Sequence, residues 1–141
     1  MNGIENKDKE LIKWAFAAAG NAYCPYSHFH VGAALRTVDD TVYLGCNIEN
    51  SSYGATNCAE RTAIFKAVSD GCTDFKEIAI VGFLDGKEPE DYAYPCGICR
   101  QVMSEFCGRD FRIIVAKSEN DYKVYTLDQL LPESFGADNI K

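Results

Sequence analysis

The run "EIAIVGF", Glu77 to Phe83, constrains the fold more than any other stretch. It shows no polar–apolar alternation, so it reads as a strand buried on both faces. Such a strand needs a layer above it and a layer below. The rest of the chain supplies both. From about Asn6 to Asn21, apolar residues recur at helical spacing: Leu11, Trp14, Ala15, Ala18 and Ala19. Further helices are expected over about 57–70 and 96–106. "VGAALRTV" and "VYLGCNI" read as a hairpin turning at the acidic pair "DD". "FRIIVAK" and "YKVYTL" are the last two strands, and "LDQLLP" is a terminal helical turn. The expected fold class is α/β, a three-layer α/β/α arrangement around a mixed five-stranded sheet. The hairpin should be antiparallel and the remainder mostly parallel, because helices separate the strands. Residues 1–141 read as a single domain.

Charge and apolar patterning exclude several classes. A net charge of −7 argues against a surface that tracks nucleic-acid phosphates. No apolar run reaches membrane-spanning length. The start, "MNGIENKDKELIKW", is charged and lacks the apolar segment of a secretory signal, so the expected location is the cytoplasm. The seven cysteines are odd in number and are not read as a disulfide framework in that compartment. Cys24, Cys46, Cys72 and Cys107 sit among apolar or small neighbours and read as packing residues.

The other three cysteines stand at expected helix starts. "TNCAERTA" places Cys58 two residues before Glu60, and "YPCGICRQV" places Cys96 and Cys99 just after Pro95. A CxxC pair alone serves metal sites and redox sites alike. If both helix starts meet, three thiolates face one point beside positive dipole ends, an arrangement suited to Zn²⁺. Neither His28 nor His30 has ligand spacing to the cysteines. Three protein ligands leave a fourth position open, as in a catalytic site. There Glu60 can move protons for a water; a first-turn acid favoured by the helix dipole is its plainer reading. Three thiolates leave the metal centre with net negative charge. Arg61 and Arg100 can offset this by hydrogen bonding to ligand sulfur, or they are solvated surface arginines.

With these residues in place, the chain resembles the small zinc-dependent cytidine deaminases of pyrimidine salvage, which work as homotetramers. The C-x-E and P-C-x-x-C spacing matches zinc deaminases in general. The resemblance also covers "CPYSHFHVGAAL", "GCNIENSSY" and "LLPESFG", and so nearly the whole chain. It implies hydrolysis of cytidine and deoxycytidine to uridine and deoxyuridine plus ammonia. It implies one zinc per subunit on Cys58, Cys96 and Cys99, with Glu60 as proton shuttle. Asn47 and Glu49 would hydrogen-bond the sugar hydroxyls, Phe29 would flank the base, and the Ala59 backbone would meet the pyrimidine edge. Tyr53 and Phe135 would approach a neighbouring site across a subunit boundary, and Gln101 would support the second helix of the zinc motif. The chain departs from the usual pattern at His28, His30, Tyr94 and Ile98, and bulk near the second helix start would narrow the pocket. A related deaminase of another amine, such as blasticidin S, a polynucleotide editor, or a non-enzymatic zinc-stabilised binding module are the alternative readings. Acidity and shortness argue against the editor.

Overall fold

The apolar run of the central strand is buried on both faces. In the computed structural model, which describes residues 3–140, this strand is β3, Phe75–Leu84. One face is covered by α1, Gly3–Ala19, and the other by α2, Ala59–Ser69, and α3, Gly97–Phe106. The remaining strands are β1, Phe29–Thr37; β2, Val42–Cys46; β4, Arg112–Ser118; and β5, Asp121–Thr126. A short helix, α4, follows at Leu127–Leu130. The five strands form one sheet in the order β2-β1-β3-β4-β5. The expected three-layer α/β/α class with a mixed sheet is what the chain adopts.

Side chains partition by strand parity. Ile78 and Ile80 join Ala63, Ile64 and Met103 in one core, while Ala79 and Val81 join Leu11, Ile12 and Ala15 in the other. On the α1 face, Arg112 pairs with Asp8 at 2.9 Å and also with Glu77, which Arg36 reaches at 2.9 Å. Each buried charge there has a partner, as burial requires.

The expectation of a mostly parallel sheet is corrected. Only β3 and β4 run parallel; β1 is antiparallel to both β2 and β3, and β5 is antiparallel to β4. The hairpin reverses the chain before α2 crosses over. β3 therefore returns parallel to β2 but docks beside β1. β4 and β5 are joined by a tight turn that can only link antiparallel strands.

This topology places the starts of α2 and α3 together over one end of the sheet. A β-carbon on Gly45 of β2 would lie 2.3 Å from the Ala59 carbonyl oxygen and 2.5 Å from the Ala63 nitrogen. Only a residue without a side chain lets α2 lie this close to the strand. No described helix is long and apolar enough to cross a membrane.

Candidate active site

The two cysteine motifs meet at their helix starts. Cys58 caps α2 with φ −76° and ψ 156°, and Cys96 caps α3 with φ −67° and ψ 168°. An N-cap side chain usually turns its oxygen back onto the first helical N–H groups. Neither thiol makes such a bond. Instead Cys58 Sγ lies 3.7 Å from Cys96 Sγ, and Cys96 Sγ lies 3.5 Å from Cys99 Sγ. All three sulfurs fall within 4.8 Å of one another and form a group able to hold a metal ion. Sulfurs bound at about 2.3 Å around a tetrahedral zinc stand about 3.8 Å apart, so the observed spacing fits that ion. Soft thiolate donors suit it chemically as well.

The protonation of the cluster is uneven. A hydrogen bond from Cys99, and then one from Arg61, hold the Cys58 thiol down at about 5. Cys99 is pushed far up, chiefly because it is the donor to Cys58 and also because it is buried. A cation held by such thiols favours their thiolate form. Arg61 Nη2 donates to Cys58 Sγ at 3.1 Å, which brings positive charge to a sulfur. Arg100 does not reach the cluster. Its Nε donates to the Pro95 carbonyl and its Nη1 to the Leu130 carbonyl, both at 2.7 Å. Its expected hydrogen bond to sulfur is thus replaced by two backbone bonds, which bridge the residue before Cys96 to the end of α4.

Glu60 lies two residues after the Cys58 cap and is only 3% exposed. Burial pushes its carboxyl up to about 7, with the negative charge on Cys58 adding to the effect. A carboxyl with that affinity gives and takes protons readily near neutrality.

Cys58, Glu60 and Cys96 line a cavity of about 330 Å³, together with Phe29, Asn47, Glu49 and Ala59. This lies at the small end of the range for ligand pockets. Ser27, Val31, Thr56, Asn57, Ile80 and Ala93 complete the walls with Tyr94. Apart from Tyr94, sequence reasoning passed over these. For Thr56 and Asn57 the signal was adjacency to Cys58. Ile80 gave none, because in sequence it is one apolar residue of a buried strand.

The expected sugar-binding pair is already partly engaged. Asn47 Oδ1 accepts from the Val31 N–H at 2.9 Å, and its Nδ2 donates to the Phe29 carbonyl at 2.8 Å. One amide proton and one lone pair remain. Glu49 Oε1 accepts from the N–H groups of Tyr26 and Ser27 at 3.0 and 3.1 Å, which leaves Oε2 for a ligand. Hydrogen bonding in the Ser27 turn holds the Glu49 carboxyl below its ordinary value. Asn47 is thus oriented by the first residues of β1 and Glu49 by the turn that precedes it.

Two expected residues lie outside this cavity. Tyr53 is exposed, stacks edge-on to Tyr26 at 6.5 Å, and borders a second cleft that also includes Glu49. Phe135 is 60% exposed, and Gln101 Nε2 donates to its carbonyl at 2.7 Å. Gln101 therefore ties the C-terminal segment to α3. His30 is engaged elsewhere: its ring lies 3.2 Å from the Ala19 carbonyl and 3.1 Å from Asp85, and stacks on Phe83 at 5.5 Å. His28 belongs to the turn before β1, with φ 58°.

Comparison with known proteins places this geometry. Residues 5–116 match the model of the cytidine and deoxycytidylate deaminase zinc-binding region. The chain is 46% identical over 132 residues to a cytidine deaminase of Sporosarcina psychrophila, covering 94% of this chain and 93% of that protein. It is 49% identical over 130 residues to one of Halalkalibacterium halodurans, covering 92% and 95%. The crystal structure of a cytidine deaminase from Burkholderia pseudomallei superposes with a TM-score of 0.82 at 43% identity, covering 96% of this chain and 100% of that one. These matches span the sulfur cluster, the buried glutamate and the cavity, and the chain belongs to the cytidine and deoxycytidylate deaminase zinc-binding family.

Proposed function

We propose that the protein is a zinc-dependent hydrolase that converts cytidine and deoxycytidine to uridine and deoxyuridine, releasing ammonia. The observation that carries this reading is the buried Glu60 carboxyl beside three convergent thiols at the end of a nucleoside-sized cavity. Cytidine deaminases of similar sequence and structure support it.

Cys58, Cys96 and Cys99 hold the metal, and Arg61 offsets the charge of the thiolates. Bound there, zinc supplies the Lewis acidity that makes water a usable nucleophile at neutral pH. Glu60 would take a proton from the attacking water and give it to the ring nitrogen N3 as the water oxygen adds to C4. It then carries the second water proton to the exocyclic nitrogen, which departs as ammonia and leaves the carbonyl of uracil. Phe29 lies against the base face at low entropic cost. The Ala59 backbone, at the start of α2, meets the pyrimidine edge. Asn47 supplies a donor and Glu49 Oε2 an acceptor, the pair that a sugar hydroxyl needs.

Residues 1–141 act as one catalytic domain in a homotetramer. Tyr53 and Phe135, both outside the protein's own cavity, complete the site of a neighbouring subunit. The exposure of Phe135 supports this arrangement. The seven free cysteines favour a cytoplasmic location. The test is an ultraviolet assay on cytidine joined to metal analysis. Loss of the cytosine absorbance with about one zinc per chain is expected. A zinc-loaded protein that leaves cytidine unchanged refutes the proposal.

A further inference from the structure

We propose that Tyr94 is a specificity-determining residue, whose ring closes the cavity to cytosine bases substituted at C5. The inference rests on the deaminase reading above and adds a constraint on which bases enter.

Three features hold Tyr94 in place. Its backbone precedes Pro95, which restricts it to extended conformations. The Pro95 carbonyl accepts from Arg100 Nε at 2.7 Å, so the segment leading into Cys96 is tied to α3. The ring is braced from outside. It packs edge-on to Tyr125 of β5 at 5.9 Å and to Tyr92 at 6.4 Å, and its hydroxyl lies 3.4 Å from the Tyr125 hydroxyl. Tyr92 is itself fixed by a hydrogen bond to Asp121 at 2.5 Å, with the Lys117 and Lys123 ammonium groups 5.1 and 4.7 Å from its ring centre.

Chemistry decides which substrate position this wall addresses. Cys58, Cys96 and Glu60 mark the reacting end of the cavity, where C4 must lie. Glu60 serves the ring nitrogen on one side of C4, and it belongs to the wall formed by 57–60. The carbon on the other side of C4 is C5. With the ring nitrogen at Glu60, C5 turns away from 57–60, and the lining outside that stretch next to the cluster comes from the segment leading into α3, Ala93, Tyr94 and Cys96. A hydrogen at C5 fits beside the ring, and a methyl group competes with it for space. In a close-fitting pocket, one such group changes discrimination by about 10–200-fold.

The test compares kcat/KM for cytidine and 5-methylcytidine in zinc-loaded protein. Tyr94→Ala should raise the ratio of 5-methylcytidine to cytidine at least about tenfold, within the range for one methyl-sized group. Tyr94→Leu, which keeps an apolar side chain on the exposed segment, should raise it in the same direction and serves if the alanine variant folds poorly. Tyr94→Phe retains the ring and should keep the ratio of the parent protein. An unchanged ratio in a zinc-loaded Tyr94→Ala or Tyr94→Leu protein that still turns over cytidine overturns this inference alone. A zinc-loaded parent protein inert toward cytidine overturns the deaminase reading and this inference with it.

Discussion

Gly82 lies close against the tip of the Phe29 ring: a β-carbon there would stand 2.9 Å from the ring's Cε2 and Cζ atoms and 3.0 Å from Ala93 Cβ. The strand that forms the centre of the sheet thereby sets the position of the aromatic wall proposed to face the base. Gly82→Ala should push the ring from its seat without touching a cysteine. An overpacked site of this kind costs about 1–3 kcal/mol. The expected result is a higher KM for cytidine with zinc content retained. Steady-state kinetics with metal analysis check it, and an unchanged KM would remove Phe29 from the binding wall.

Cys96 caps α3 and touches both other sulfurs of the cluster, at 3.7 and 3.5 Å. Cys96→Ala should lose zinc and activity together. Its thermal midpoint should also fall, because metal binding contributes to folding. Full zinc occupancy in this variant would show that the ligand set is wrong.

Glu60→Gln keeps the shape of the side chain and removes its ability to shuttle protons. Zinc should remain, and a substrate analogue should still bind. Turnover should fall by about 10²–10⁴-fold, the usual contribution of one acid–base group. Turnover near that of the parent protein would exclude the assigned role.

Glu49 anchors the turn before β1 through one oxygen and offers the other to a ligand. Glu49→Ala therefore removes both functions. Glu49→Gln can keep an acceptor for Tyr26 and Ser27 while losing the charge. Both variants should impair reaction with cytidine more than with bare cytosine. A lost partner to a buried hydroxyl costs about 1–3 kcal/mol. Equal losses on nucleoside and base would place Glu49 outside the sugar contact.

Light scattering should give about four chains for the active protein, a closed assembly with two-fold axes. Phe135→Ala should weaken cytidine binding. Mixing inactive Glu60→Gln subunits with Phe135→Ala subunits should restore some working sites if the ring crosses between chains. A fully active monomer, or no recovery in proven hybrids, would argue against shared sites.

Much of this molecule is local, and the local part is legible in the chain. "EIAIVGF" requires burial on both faces whatever its neighbours are, so the layered α/β class follows from composition and period. The helix starts are likewise readable, since Pro95 and the apolar spacing after Cys58 act within a few residues. The spacing C-x-E and P-C-x-x-C therefore marks the candidate site before any folding is considered. What joins elements distant in the chain is decided only by tertiary structure. Strand period says nothing about which edge a returning strand takes, and β3 docks antiparallel to β1 rather than beside β2. Arg61 and Arg100 look alike in sequence, each following a motif residue, yet one turns to a sulfur and the other to two carbonyls. Asn47 spends most of its amide on the backbone of β1, a contact set by strand register. Ile80 lines the cavity only because its face of the sheet carries α2. Local periodicity encodes burial, whereas partners are chosen by packing and register between segments far apart in the chain.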